Sequence, residues 1–226
     1  MPKANTERRS RTPALTRDGI LAAAVEVIER DGPGALSMRR LGAELGVDAT
    51  AFYRHFRDKD DLVLACYERV TEALTEAIHA VADDESWRGR LWQLARATWD
   101  LSTHYPATFS LGFARTTGGS TERELVEFIL DALTRTGLPR EQVVLYYRMF
   151  GDAVLSLSGM NAVLASLDPD QRAKDAVAWS GISALWRAPE YPAARQHATE
   201  LLAVEDREIF EATVNALLDS IEHATT

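Results

Sequence analysis

The tightest constraint on this chain lies in residues 36–62, LSMRRLGAELGVDATAFYRHFRDKDDL. Ser37 is placed to cap a helix over 38–45, in which Met38, Leu41 and Leu45 share a buried face. Arg39, Arg40 and Glu44 point elsewhere. Gly46 closes that helix in the left-handed conformation glycine adopts at low cost. Val47 plugs the turn, and Asp48 caps a further helix from 49 to 55 or 56. Phe52 and Phe56, four residues apart, face the core. Ala49, Thr50, Tyr53 and Arg54 are left on exposed faces. This is the layout of a helix-turn-helix. A second helix with small side chains at its start and longer polar ones behind can enter a DNA major groove end-on.

A net charge of −9 argues at first against a nucleic-acid partner. The distribution matters more than the total. Residues 1–60 carry 11 Lys and Arg against 9 Asp and Glu, while 61–226 carry 14 against 25. Any DNA contact is therefore local, with the acidic remainder facing away. Residues 1–15 are basic, polar and interrupted by Pro2 and Pro13. They read as a flexible arm, either solvated or reaching phosphates beside the groove. A helix over 17–30 follows, capped by Thr16 and stopped by Asp31-Gly32-Pro33-Gly34.

Lys59 opens a long helix to about residue 82. Its stripe of Leu62, Cys66, Val70, Leu74, Ile78 and Val81 makes it a candidate lever between a reading head and a second body. Cys66, the single cysteine, lies within that stripe and reads as a core hydrophobe. Further helices are expected at 87–104, 106–115, 121–136, 140–167, 170–186 and 206–223, with residues 188–203 ambiguous. The fold class is all-α: a helix-turn-helix domain over 16–62, then a helical bundle over 63–226. The helix at 140–167 is apolar nearly all round and must be covered on both sides. Its small residues Gly151, Ala153, Ser156, Ser158 and Gly159 suit close approach of another helix. With the stripe at 206–223, it suggests a homodimer built across a two-fold axis.

The segment 19–62 resembles the DNA-binding domain of the tetracycline-repressor (TetR) family of bacterial transcription regulators. The resemblance is carried by Ile20-Leu21-Ala22-Ala23-Ala24, Leu36-Ser37-Met38-Arg39-Arg40-Leu41, Leu45-Gly46-Val47, and Tyr53-Arg54-His55-Phe56 followed by Lys59 and Leu62. The remainder resembles the family's regulatory domain mainly in being helical, with His104-Tyr105-Pro106 and Tyr191-Pro192 as weaker points of likeness. It implies a homodimeric repressor of a palindromic operator, released by a small molecule in the C-terminal domain. Carried onto this chain, Ala49, Thr50 and Tyr53 face bases or nearby phosphates. His55, Lys59, Thr16, Arg17, Ser37 and Arg39 hold the backbone. Asp48 departs from the family's usual Ser or Thr; it caps equally well, but its charge is repelled by phosphate or accepts from a cytosine amino group.

The C-terminal body holds all five tryptophans. Trp99, Phe109, Phe113, Tyr147, Met160 and Trp179 fall mid-helix, where a bundle can open into a ligand site, with His104, Asn161 and Asp152 as polar anchors. The effector expected there is largely apolar or aromatic. A histidine near this helix junction binds metal in the tetracycline-repressor branch; here no second histidine or carboxylate lies at ligand spacing, so neither metal nor cofactor is expected. No nucleophile elbow, phosphate loop or H-E-x-x-H occurs, so an enzyme is not expected. A second reading keeps the DNA binding but places control with a protein partner. No apolar run of membrane-spanning length or secretory signal is seen, so the expected location is the cytoplasm.

Overall fold

The computed structural model describes residues 15–185 and 190–225. The basic arm, apart from Leu15, and Trp186 lie outside them. Among the described residues the chain is all helix. No single helix is long and apolar enough to cross a membrane.

Helix α1 (Arg17–Asp31) begins where Thr16 Oγ1 accepts the Gly19 N–H at 3.1 Å, and it ends at Gly32, φ 91°. Its inner face is Ile20, Ala24, Val27 and Ile28, all fully buried. Helix α2 (Met38–Leu45) is capped by Ser37, which accepts from Arg40 N at 3.1 Å. Gly46 takes the expected left-handed conformation, φ 65°. Gly42 is equally necessary: a Cβ there would stand 2.8 Å from the Val47 carbonyl oxygen. Two pairs clamp α1 to α2: Arg30 with Glu44, and Asp31 with Arg40.

The helix expected at 49–55 is instead a 3₁₀ segment, Ala49–Arg54. Asp48 accepts from Thr50 N two residues on, at 2.8 Å, and that short reach tightens the first turn. Six residues are too few to relax it. Phe52 and Phe56 are buried as expected.

Helix α3 (Lys59–His79) starts at Asp58, whose carboxylate accepts from Asp61 N. It crosses the expected 62/63 domain boundary without a break. It ends three residues before the expected residue 82, and Val81 buries itself from the following turn. Cys66 lies in the core, where burial pushes its thiol up to about 12.

The body comprises α4 (Trp87–His104), α5 (Pro106–Gly112), α6 (Ser120–Thr134), α7 (Arg140–Ala165), α8 (Pro169–Leu185), α9 (Pro192–Gln196), α10 (Ala198–Ala203) and α11 (Asp206–Ala224). Helix α5 stops short of residue 115. Helix α7 is the central member, packed by α4, α5, α6 and α11. One chain covers only one side of it and leaves the apolar surplus of the other side open. Val143, Phe150, Val154 and Ala162 are buried, whereas Val144, Leu145, Met149, Met160, Val163 and Leu164 are exposed. Of its small residues, Gly159 admits the Phe113 ring from the end of α5, not a second helix.

Head and body meet through α1, α3 and α5. Helix α5 has no side-chain cap of its own. Glu29 of α1 supplies one, accepting from Ala107 N at 3.2 Å and Thr108 N at 2.7 Å.

Candidate nucleic-acid interface and ligand cavity

The outer surface of the head is built by caps that are already occupied. Thr16 and Ser37 use their hydroxyl oxygens on backbone N–H groups, yet both side chains sit at exposed helix starts. Asp48 also accepts from Thr50 Oγ1, at 2.6 Å. That hydroxyl and the Thr50 N–H hold the Asp48 carboxyl below the usual carboxylate range. The charge of Asp48 thus orients Thr50. Tyr53 is 56% exposed, with Thr50, Arg54 and Lys59 exposed around it. Ala49 is only half-buried, less open than expected. Arg39 is exposed. Arg17 lies over the Phe56 ring at 5.2 Å, a cation–π contact that stiffens its stem. His55 is half-buried and its Nε2 accepts from Arg54 Nε at 3.2 Å. The surface therefore offers hydroxyl donors, an aromatic hydroxyl and cations on a rigid three-helix support.

A cavity of about 160 Å³ opens in the body between α3, α4, α6 and α7. Its walls are mainly apolar: Leu74, Leu94, Leu125, Ile129, Phe150 and Val154. Tyr67, Phe113 and Tyr147 add aromatic edges; burial raises the Tyr67 phenol above its ordinary value. The cavity continues into a wider mouth of about 360 Å³ that shares Phe113, Arg115, Glu122, Tyr147, Gly151 and Leu155. Arg148 and Asp152, paired at 3.1 Å, complete that mouth. Inner chamber and mouth together reach the size range of small-molecule sites.

The polar wall is the loop between α5 and α6. Thr117 Oγ1 lies 2.6 Å from Glu68 Oε2 and 3.0 Å from Glu122 Oε2. Glu68 also accepts from Thr121 N, and Glu122 from Thr117 N and Gly118 N. Both carboxylates are thereby satisfied at the positive start of α6. Gly119 leaves room for Glu68, since a Cβ there would collide with its carboxylate. Arg115, in the same loop, grips Asp60 of α3 with two hydrogen bonds, 2.6 and 2.8 Å.

Of the nine residues expected to hold a ligand, the structure brings only Phe113 and Tyr147 into this cavity; Asp152 lies at its mouth. Phe109 is fully buried, edge-on to Tyr67, and is core. Trp99 packs on Phe210 at 4.7 Å and lines a separate open cleft with His104 and Asn161. His104 is exposed against Tyr105, and Asn161 donates to Ser102 and Thr103. Met160 and Trp179 are exposed, 51% and 48%, on α7 and α8. These residues sit mid-helix, but helix position does not say which face turns inward. The residues missed were Glu68, Arg115, Thr117 and Glu122. Thr117 and Glu122 had a signal in the loop read only as a stop, Thr116-Thr117-Gly118-Gly119, with an acidic residue in the first turn of the helix after it; Glu68 and Arg115 had no local one.

Residues 20–66 match the family described as bacterial regulatory proteins, tetR family. A transcriptional regulator of the helix-turn-helix type from Saccharopolyspora erythraea is 33% identical over 139 residues, covering 61% of this chain and 58% of that protein. The transcriptional repressor DrrR1 of Streptomyces coeruleorubidus is 30% identical over 136 residues, 60% of this chain and 50% of the repressor. The match thus spans only about half the length of these curated relatives. The TetR family protein ActR of Streptomyces coelicolor, solved in complex with actinorhodin, superposes with a TM-score of 0.77 at 19% identity, covering 93% of this chain and 98% of that one. That likeness is one of fold.

Proposed function

We propose that this chain, whose residues 20–66 match the tetR family of bacterial regulatory proteins, is a ligand-released transcriptional repressor acting as a homodimer on a palindromic operator. The observation that carries the reading is the pairing of the exposed Thr50–Tyr53–Lys59 surface with an apolar cavity in the same chain, joined by one unbroken helix, α3. Ala49, Thr50 and Tyr53 face the bases or adjoining phosphates. Thr16, Arg17, Ser37, Arg39, His55 and Lys59 hold the backbone.

The dimer forms through the uncovered face of α7 with α11. Val144, Leu145, Met149, Val163, Leu164 and Ile209 together leave an apolar stripe that a monomer in water disfavours. Two recognition segments in such a dimer must stand about 34–36 Å apart to enter successive major grooves. A ligand that alters this spacing breaks the register. Preference for the released state by about 10⁴-fold moves the population from one extreme to the other.

The effector is a compound with an apolar or aromatic body for the Leu74–Leu94–Phe150 chamber and polar groups toward the mouth. Control by a protein partner alone would leave this chamber without a use. The relative DrrR1 is named a repressor and ActR is seen with actinorhodin bound, which supports the reading without naming this chain's effector.

The test is selection of bound fragments from genomic DNA with the purified full chain. The reading expects one enriched palindrome, with half-sites one helical turn or a multiple of it apart. No enrichment, or enrichment of a single half-site by a monomer, contradicts it.

A further inference from the structure

The first turn of α3 is an odd place to meet phosphate. Lys59 is there flanked by three carboxylates, Asp58, Asp60 and Asp61. Two of them are satisfied within the head. Asp58 accepts from Asp61 N at 2.8 Å. Asp61 accepts from Arg57 N at 2.9 Å and pairs with the Arg57 guanidinium at 3.6 Å. Asp60 is different. Both its oxygens are held by Arg115, at 2.6 and 2.8 Å, from the loop that follows α5 in the body. Arg57 contributes only a weaker charge effect at Asp60.

Arg115 also lines both the inner cavity and its mouth. Its fork gives Asp60 one N–H from each terminal nitrogen, which leaves three of the five guanidinium N–H groups for other acceptors. Two residues on, Thr117 ties the same loop to α3 again, through Glu68. The loop is therefore fastened at two points to the helix that starts with Lys59, and its other side forms the cavity wall.

We propose that Arg115, a residue of the cavity wall, sets the DNA affinity of the head by neutralising Asp60 beside Lys59. The inference rests on the reading above that Lys59 meets a phosphate. With the pair formed, the start of α3 presents Lys59 and the positive helix end to DNA. With the pair broken, a bare carboxylate stands next to that lysine, well within a Debye length of the phosphate, and repels it. An occupant whose own acceptor oxygens draw the guanidinium into the cavity therefore weakens DNA binding without moving α3. An exposed pair of this kind adds little to folding stability, so it can be removed and the chain still folds.

The test compares wild type, Arg115→Gln, Asp60→Asn and the double variant on the DNA fragment that wild type selects, each as the full-length chain. Thermal melting and mass in solution check that all four fold and assemble alike. Arg115→Gln is expected to bind about tenfold more weakly near 0.1 M salt, with the deficit shrinking as salt screens the bare charge. Asp60→Asn should bind at least as tightly as wild type. The double variant should recover the affinity that Arg115→Gln loses, since a neutral Asn repels nothing. Unchanged affinity in Arg115→Gln overturns the inference and leaves the proposed function standing. A double variant as weak as Arg115→Gln also overturns it, because the loss would then not be the charge of Asp60. Failure of wild type to select any DNA overturns both.

Discussion

Single side chains in the head do one of two jobs, and their hydrogen bonds tell them apart. Thr16, Ser37 and Asp48 hold backbone N–H groups, so their first role is to aim their neighbours. The side chains of Arg39, Tyr53 and Lys59 are exposed and make no hydrogen bond or ion pair among the described residues, which leaves them open to a partner. Lys59→Ala should weaken binding to every sequence about equally and lower the salt slope by about one unit. A filter-binding series across salt reads this; loss confined to one sequence would assign Lys59 to bases instead. Acid reports on the carboxylates. Asp31, Glu44, Asp48 and Asp60 are all held below the ordinary carboxylate range by hydrogen bonds from Arg30, Arg30, Thr50 and Arg115 respectively. A lowered folded value means the contribution is present above the unfolded value, near 4, and is lost as pH falls through the lower folded value. The melting temperature should therefore change little between about pH 5 and 7 and fall by a small amount below about pH 4, since exposed pairs of this kind each contribute little. A melting temperature that rises on acidification would contradict the pairings.

At the scale of elements, most of the chain was legible. The caps at Thr16, Ser37 and Asp48 stand at helix starts as expected, because a side-chain oxygen before an apolar run has little else to do; Asp58, read only as a break, caps α3 in the same way. The left-handed Gly46 followed from its place after Leu45. Gly42 did not follow, since only the fold brings the Val47 carbonyl over it. Gly42→Ala should cost about 1–3 kcal/mol by crowding that oxygen. Chemical denaturation measures it, and a neutral result would mean that the turn opens without strain. The shift from α-helix to 3₁₀ in Ala49–Arg54 was likewise hidden, because both forms bury Phe52 and expose Thr50. The α5–α6 loop read only as a stop. Its chemistry arises from Glu68, some fifty residues earlier, reaching across to Thr117 and Thr121.

At the scale of the whole molecule, the exposed apolar stripe of α7 and the cavity beneath it share one helix. Phe150 and Val154 line the chamber, while Leu145 and Met149 face out. The chamber and the proposed dimer face are thereby neighbours across a single α-helix. Light scattering should report about twice the 25.0 kDa of one chain. Leu145→Glu places a charge in the stripe, where an unpaired charge opposes association, and should shift the mass toward one chain. A stable monomer for the unmodified chain at micromolar concentration would sink the dimer. A dimer indifferent to Leu145→Glu would put the interface elsewhere.

The sequence by itself determined the local grammar: where helices start and stop, the turn at Gly46, and which head residues are apolar enough to bury. These depend on neighbours within a few positions, through caps, φ preferences and a 3.6-residue period. It also pointed to the α7 surplus, although one chain covers only half of it. Tertiary structure alone decided which aromatics line a cavity. Phe109, Trp99 and Phe113 look alike in sequence, yet one is core, one packs on α11 and one edges the chamber. It also decided that Arg115 finds Asp60 across fifty-five residues. Such pairings depend on the rotation of each helix about its axis. That rotation is settled by packing all the helices at once, and no local spacing records it.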